Sequence, residues 1–214
     1  VEYLNIAIAK GRLVDHTIDI LRAIGINFPD YHEKSRKLIF EDPVKKIRIV
    51  LVKASDVATY VERGATDLGV IGKDSLIESR ANVFEVVDLG FGRCRFVVAG
   101  LEATVLQKHK FIVATKYPKV TNQFFTERGQ TVETIHLNGS VELAPLVGLS
   151  DCIVDIVETG RTLQDNGLKV LAEIFEISAR LIANKASFKT KHSRIDDFIN
   201  HIQSVVNEKG AVGQ

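Results

Sequence analysis

From Leu4 to Val157, short apolar runs of strand length alternate with segments of helical period, and this alternation limits the chain to one broad class of fold. Runs such as Leu4–Ala9, Ile47–Val52 and Cys152–Val157 are too short for fully buried helices and too apolar for loops. Further strands are predicted at 37–41, 67–71, 83–89, 95–99, 111–115 and 132–137. Between them, residues 13–24 place Leu13, Thr17, Ile20, Leu21 and Ile24 on one helical face, and residues 54–64 end on a glycine suited to a helix C-terminus. Other helices are expected at 120–128, 141–147 and around 162–168. Such an order means a parallel or mixed sheet covered by helices on both faces.

The two halves share this pattern without a residue-level repeat. Glycines interrupt the strand signal at Leu89-Gly90-Phe91-Gly92-Arg93, which marks a boundary. A long extended stretch over 170–189 can carry the chain back into the first half. The last helix, from Ser193 to about Asn207, collects Ile195, Phe198, Ile199, Ile202, Val205 and Val206 on one face and needs a surface to pack on. The expected organisation is a first α/β lobe of residues 1–90 plus 178–214 and a second of residues 91–177, with a central cleft. Ligands of such folds sit at the C-terminal ends of strands, where helices begin.

Composition narrows the function classes. A net charge of +1, from 28 basic against 27 acidic residues, argues against broad nucleic-acid binding and leaves room for a compact cationic site. No apolar run reaches the ~18 residues of a membrane-spanning helix. The N-terminal residues show no secretory pattern, which fits a cytoplasmic chain. Cys94 and Cys152 lie in apolar stretches and read as buried free thiols, and the six histidines show no metal-ligand spacing.

The segment richest in chemistry is Asp155-Ile156-Val157-Glu158-Thr159-Gly160-Arg161-Thr162-Leu163, followed by Asn166-Gly167-Leu168. A strand runs into a turn with two hydroxyls and a glycine, then into a helix start whose N–H groups and dipole favour a phosphate. Asp155 and Glu158 would repel the phosphate itself, but they can accept hydrogen bonds from ribose hydroxyls. An ordinary N-capped helix after a buried strand explains the spacing equally well.

The same segment resembles the phosphoribosyl pyrophosphate loop of the ATP phosphoribosyltransferases. Further segments similar to that family follow in order along the chain. They are Ala9-Lys10-Gly11-Arg12, Ser35-Arg36-Lys37-Leu38, Ala54-Ser55-Asp56-Val57 and the run from Asp67 through Gly72-Lys73-Asp74. Ala114-Thr115-Lys116-Tyr117 and Gly139-Ser140-Val141-Glu142-Leu143-Ala144-Pro145 complete the set. The resemblance implies an α/β chain of two lobes with a central cleft, in the periplasmic-binding-protein-like (type II) architecture. It implies attack by N1 of ATP on C1 of the phosphoribosyl group, expelling pyrophosphate, with Mg²⁺ bound through the substrates.

By that resemblance Arg12 and Arg36 are catalytic contacts to the leaving pyrophosphate, Arg36 from its own or a neighbouring subunit. Asp155, Glu158, Thr159, Gly160, Arg161 and Thr162 hold phosphoribosyl pyrophosphate, while Lys10, Gly11, Lys73, Asp74 and Glu142 hold ATP. From the residues alone, Lys-Gly-Arg is also a common surface turn. The charged run Glu33-Lys34-Ser35-Arg36-Lys37 reads as a solvated face, and Ser140 and Glu142 as helix-capping residues. Arg161 stands where the family often has a small or amide residue, and Glu158 at a varied position. Only one helix follows Lys189, where long-form members carry a histidine-binding domain. A short form implies a homodimer and a hetero-oligomer with a regulatory subunit resembling histidyl-tRNA synthetase. A solute-binding protein would share the lobes but should carry a signal peptide or lipid-anchor cysteine. A salvage phosphoribosyltransferase would place two adjacent acids before its turn, whereas Ile156 follows Asp155. A regulator's effector-binding domain would lack Lys10 and Arg12.

Overall fold

Runs of buried aliphatic residues form the strands of two separate mixed sheets. The structure is a computed structural model that describes residues 2–32, 35–107 and 110–212. In chain order its elements begin with β1 (Leu4–Ala9), α1 (Leu13–Ala23), β2 (Ile39–Asp42), β3 (Ile47–Val52) and α2 (Ala54–Glu62). β4 (Leu68–Gly72), α3 (Lys73–Ser79), β5 (Phe84–Asp88), β6 (Cys94–Gly100) and a 3-10 turn at Ala103–Gln107 follow. Next come β7 (Lys110–Thr115), α4 (Pro118–Glu127), β8 (Thr131–His136), α5 (Leu143–Leu146), β9 (Cys152–Val157), α6 (Arg161–Asp165) and β10 (Lys169–Ile177). The chain ends on β11 (Ala179–Ala183), α7 (Lys185–Thr190) and α8 (His192–Val212).

The chain divides into two units, Val1–Gly92 with Ser178–Gln214, and Arg93–Ile177. The first division falls within the glycine-marked segment, two residues beyond the expected lobe end at residue 90, because both sides of Leu89–Phe91 are tied to β11. Leu89 donates to the Ala179 carbonyl at 3.0 Å, and Ala179 donates to that of Phe91 at 2.9 Å.

In unit 1 the sheet order is β2-β3-β1-β4-β11-β5. β1 runs parallel to β3 and β4, while β11 is antiparallel to both its neighbours. Side-chain alternation sorts the helices between faces. Val70 and Leu181 meet Ile20 and Leu21 of α1 and Phe198 and Ile202 of α8. Gly69 and Ile182, each one residue along, face α2. A Cβ at Gly69 would stand 2.6 Å from Val61 Cγ2, so α2 approaches β4 only because that side chain is missing. On α8, Ile195 is fully buried and Phe198, Ile199 and Ile202 nearly so. At ~25 cal/mol per Å², burying four such side chains stabilises the docked helix by several kcal/mol in gross terms.

One stretch differs from its sequence expectation. Residues 170–189 are extended only to Ala183, and Lys185–Thr190 forms α7. The buried Asn184 caps it, its Oδ1 accepting from Ala186 N at 2.9 Å and Ser187 N at 2.8 Å, while its Nδ2 donates to the Val61 carbonyl at 2.8 Å.

In unit 2 the order is β10-β6-β9-β7-β8, with β7 parallel to β8 and β9, and β6 antiparallel to β9 and β10. Ile153 and Val157 of β9 join Leu163, Leu168, Val141 and Ala144 in one apolar cluster. Aromatic pairs, Phe111 with Phe125 and Phe96 with Tyr117, fill another part of the unit edge-to-face. Cys94 and Cys152 are buried free thiols.

Candidate functional site

Strand β1 is flanked on both sides by parallel strands, so its C-terminal end opens where α1 starts. Lys10 donates its N–H to the Val52 carbonyl at 2.8 Å, the last rung before the chain turns. Gly11 follows with φ +102°, and nothing lies within 4 Å of where its Cβ would be. The glycine therefore serves the backbone conformation and leaves its surroundings open to a ligand. Arg12 then precedes the first turn of α1.

These three residues line a pocket of about 530 Å³ together with Asp15, Tyr31, His32, Ser35, Arg36, Lys37 and an apolar floor of Val14, Leu38, Phe40 and Leu51. Two motifs whose centres, Gly11 and Arg36, are 25 residues apart, Lys10-Gly11-Arg12 and Ser35-Arg36-Lys37, thus meet in one concavity. Glu33 and Lys34 of the charged run lie outside the described residues. Among the described lining residues, Lys10, Arg12, Arg36 and Lys37 share the pocket with a single carboxylate, Asp15, which accepts from Tyr31 Oη at 2.9 Å. Lys37 is paired with Asp30 at 2.9 Å. Gathered cations repel one another, and a polyanion relieves that repulsion. Asp15, Tyr31 and Ser35 were not singled out from the sequence. Ser35 lay inside a recognised motif, but Asp15 reaches the pocket only through its place three residues after Arg12 on α1.

In unit 2, β9 ends at Val157 and the chain turns through Glu158 and Thr159 into Gly160, at φ 80° and ψ 0°. Those angles belong to the third position of a type II turn, which favours glycine. Thr159 Oγ1 accepts from Arg161 N at a long 3.4 Å, and Gln164 N bonds to the Gly160 carbonyl at 3.1 Å. Leu163 is buried and fastens α6, leaving Glu158, Thr159, Arg161 and Thr162 exposed. Asp155 is half-buried on β9, with Oδ1 accepting from the Ile156 N–H at 2.8 Å. Arg161 reaches Asp165 at 3.8 Å, an exposed contact of little weight.

The remaining candidates stand elsewhere. Lys73 and Asp74 open α3 and do not line the unit 1 pocket. Lys73 pairs with Glu85, which also takes Arg180 Nε at 2.7 Å. Asp74 accepts from Ser75 Oγ at 3.2 Å and folds over Gly72. Burial alone would raise the carboxyl of nearby Asp88. The Ser178 hydroxyl, the Gly90 N–H and Arg180 outweigh that effect and hold it below the usual carboxylate value. Asp67, at the head of the same motif, is a structural pin that accepts from Asn5 N at 2.9 Å and meets Lys191 at 3.0 Å. Glu142, half-buried, precedes α5 in unit 2 without a side-chain cap bond. Among the described residues no group of three or more His, Cys, Asp or Glu side chains is placed to hold a metal ion.

The profile of the family described as HisG: ATP phosphoribosyltransferase matches residues 53–204. An ATP phosphoribosyltransferase of Caldanaerobacter subterraneus is 52% identical over 209 residues, covering 96% of this chain and 99% of the relative. Among solved structures, the ATP phosphoribosyl transferase (HisG:HisZ) complex from Thermotoga maritima matches with a TM-score of 0.83 and 36% identity, covering 96% of this chain and 99% of that one. The periplasmic aliphatic sulphonate binding protein SsuA from Escherichia coli matches at TM-score 0.60 and 15% identity, covering 96% of this chain and 73% of that one, a likeness of fold alone.

Proposed function

The chain belongs to the ATP phosphoribosyltransferase family, and on that premise we propose how its residues share the reaction. The enzyme transfers the phosphoribosyl group of phosphoribosyl pyrophosphate to N1 of ATP, giving phosphoribosyl-ATP and pyrophosphate, the first step of histidine biosynthesis. N1 attacks C1 while the C1–O bond to pyrophosphate breaks, so negative charge grows on the departing group. No covalent nucleophile is needed. Two polyanions must be held together, and cations fixed before the reaction stabilise the growing charge.

Arg12 and Arg36 take the leaving pyrophosphate, and Lys10 and Gly11 meet the phosphates of ATP. The observation that carries this reading is that Lys10, Arg12 and Arg36, from two distant segments, line one pocket. The turn from Glu158 to Thr162 receives the 5-phosphate, and Asp155 accepts from the ribose hydroxyls. Lys73, Asp74 and Glu142 contribute on the ATP side. Mg²⁺ enters as part of the substrates' phosphate complexes.

The chain works as a cytoplasmic homodimer that joins a histidyl-tRNA-synthetase-like regulatory subunit, as the Thermotoga maritima complex pairs HisG with HisZ. No described helix is long and apolar enough to cross a membrane. Incubating the purified chain with ATP, phosphoribosyl pyrophosphate and Mg²⁺ should produce phosphoribosyl-ATP, detected by absorbance and mass. Product at an unchanged rate from Arg12→Ala and Arg36→Ala together would remove the pocket from the reaction. Light scattering should show a larger particle, and histidine inhibition should appear, when the regulatory subunit is added.

A further inference from the structure

Among the described residues lining the unit 1 pocket, Asp15 is the one carboxylate, set among cations that would meet a polyanion. Tyr31 Oη donates to its Oδ1 at 2.9 Å. The Tyr31 ring packs edge-on against Phe40 of β2, with centroids 5.3 Å apart and planes at 79°. Phe40 is 1% exposed. Tyr31 is therefore fixed by the core at its ring and by α1 at its hydroxyl. Farther along the same segment, the Leu38 carbonyl accepts from Leu51 N at 2.8 Å, which fastens the chain to β3. Arg36 lies between these two fastenings, and the described residues 35–38 around it have no regular structure. Asp15 sits one helical turn after Arg12, so the tie joins the arm that carries Arg36 to the arm that carries Arg12.

We propose that Asp15 and Tyr31 form a positioning pair that sets the spacing of Arg12 and Arg36 around the departing pyrophosphate. The proposal rests on the reading that those two arginines meet the leaving group. A cation on an irregular connection stabilises a transition state only if it is held in place beforehand, and a displacement near 1 Å is costly in rate. The tie restrains Arg36 without touching substrate.

Tyr31→Phe keeps the ring on Phe40 and removes only the donor. It should lower kcat roughly 10-fold, with the KM for ATP within about twofold of wild type and an unchanged melting temperature. Asp15→Ala should match it, and Asp15→Asn, which keeps an acceptor oxygen for Tyr31, should recover most of the lost turnover. Tyr31→Phe should add little once Arg36→Ala is present, because the tie then has nothing to position. Full activity of Tyr31→Phe beside an impaired Arg36→Ala overturns the positioning pair alone. So do independent, multiplying losses in the double variant, or an Asp15→Asn as impaired as Asp15→Ala. A fully active Arg36→Ala overturns the leaving-group reading as well.

Discussion

The two strand-to-helix turns proposed to share the reaction are built differently. In unit 1, β1 lies between two parallel strands, and Lys10-Gly11-Arg12 leads into an 11-residue helix. In unit 2, β9 lies between an antiparallel and a parallel strand, and Glu158-Thr159-Gly160 leads into a helix of only 5 residues. The first turn collects cations from a second segment into a pocket with an apolar floor. The second is exposed, rich in hydroxyls, preceded by acids, and its one arginine faces Asp165. Growing charge calls for fixed cations, whereas a sugar phosphate calls for amide and hydroxyl donors beside a carboxylate acceptor. The difference fits the proposed division, with leaving-group chemistry in unit 1 and sugar recognition in unit 2.

The largest expected effect breaks the unit 1 side. Arg12→Ala and Arg36→Ala should each lower turnover by ~10²-fold while leaving ground-state binding comparatively intact, on the scale of a lost oxyanion donor. Steady-state kinetics with direct binding separates the two quantities, and a pure binding loss would contradict the division. Mixing Arg36→Ala with Asp155→Asn chains sharpens it. With subunit exchange confirmed, recovered activity means that Arg36 serves a neighbour's site, and no recovery places it in its own subunit's site or outside the site.

On the unit 2 side, Asp155→Asn should weaken phosphoribosyl pyrophosphate by ~1.5–3 kcal/mol, the scale of a hydrogen bond to a charged group, and leave ATP nearly untouched. Titration calorimetry with each substrate decides this. Equal losses for both would indicate damage to the β9 strand itself.

The turns can also be compared directly. Alanine at Gly160 would meet Val157 Cγ1 at an unforced 3.7 Å, and alanine at Gly11 would meet nothing, so both costs are backbone costs. Each should be ~1–2 kcal/mol, with Gly11→Ala the larger because φ +102° lies farther from the left-handed well than +80°. Chemical denaturation measures the order, and a larger loss at Gly160 would reverse it.

Much of this is legible in the amino-acid sequence. β1, β3 and β9 have the bounds their apolar runs predict, because buried strands in a mixed sheet need continuous aliphatic sequence. α7 was not legible. Its start depends on Asn184, whose side chain is held by carbonyls at Val61 and Glu62, more than 120 residues away. The Lys10-Gly11-Arg12 and Arg36 motifs were each visible, but their meeting depends on the β2–β3 hairpin returning beside β1. Lys73 shows the opposite limit. Its motif is as recognisable as the others, yet the structure gives the side chain Glu85 as a partner, a pairing that depends on β11 joining β4 to β5.

The smallest expected effect concerns acid stability, and it again separates the units. Asp42 is 4% exposed at the end of β2. Burial alone would raise its carboxyl, but N–H groups of Lys45, Asn27 and Val44 and the charge of Lys45 outweigh that and hold it below the usual value. Asp88, held below the usual value as well, also lies in unit 1. A carboxyl lowered by folding binds fewer protons in the folded chain than in the unfolded one across the intervening window. Its stabilisation is therefore fully present above the ordinary carboxylate pKa, ~3.9 for Asp, and is lost as pH falls through the folded value. Amide exchange followed from about pH 5 down to about pH 2.5 should show β3, which pairs with β2, losing protection before β9 does. In Asp42→Asn the loss at β3 should depend less on pH, since the titrating group is gone. Protection lost first at β9, or a variant with the wild-type pH dependence at β3, would show that acid acts on this chain through groups other than Asp42.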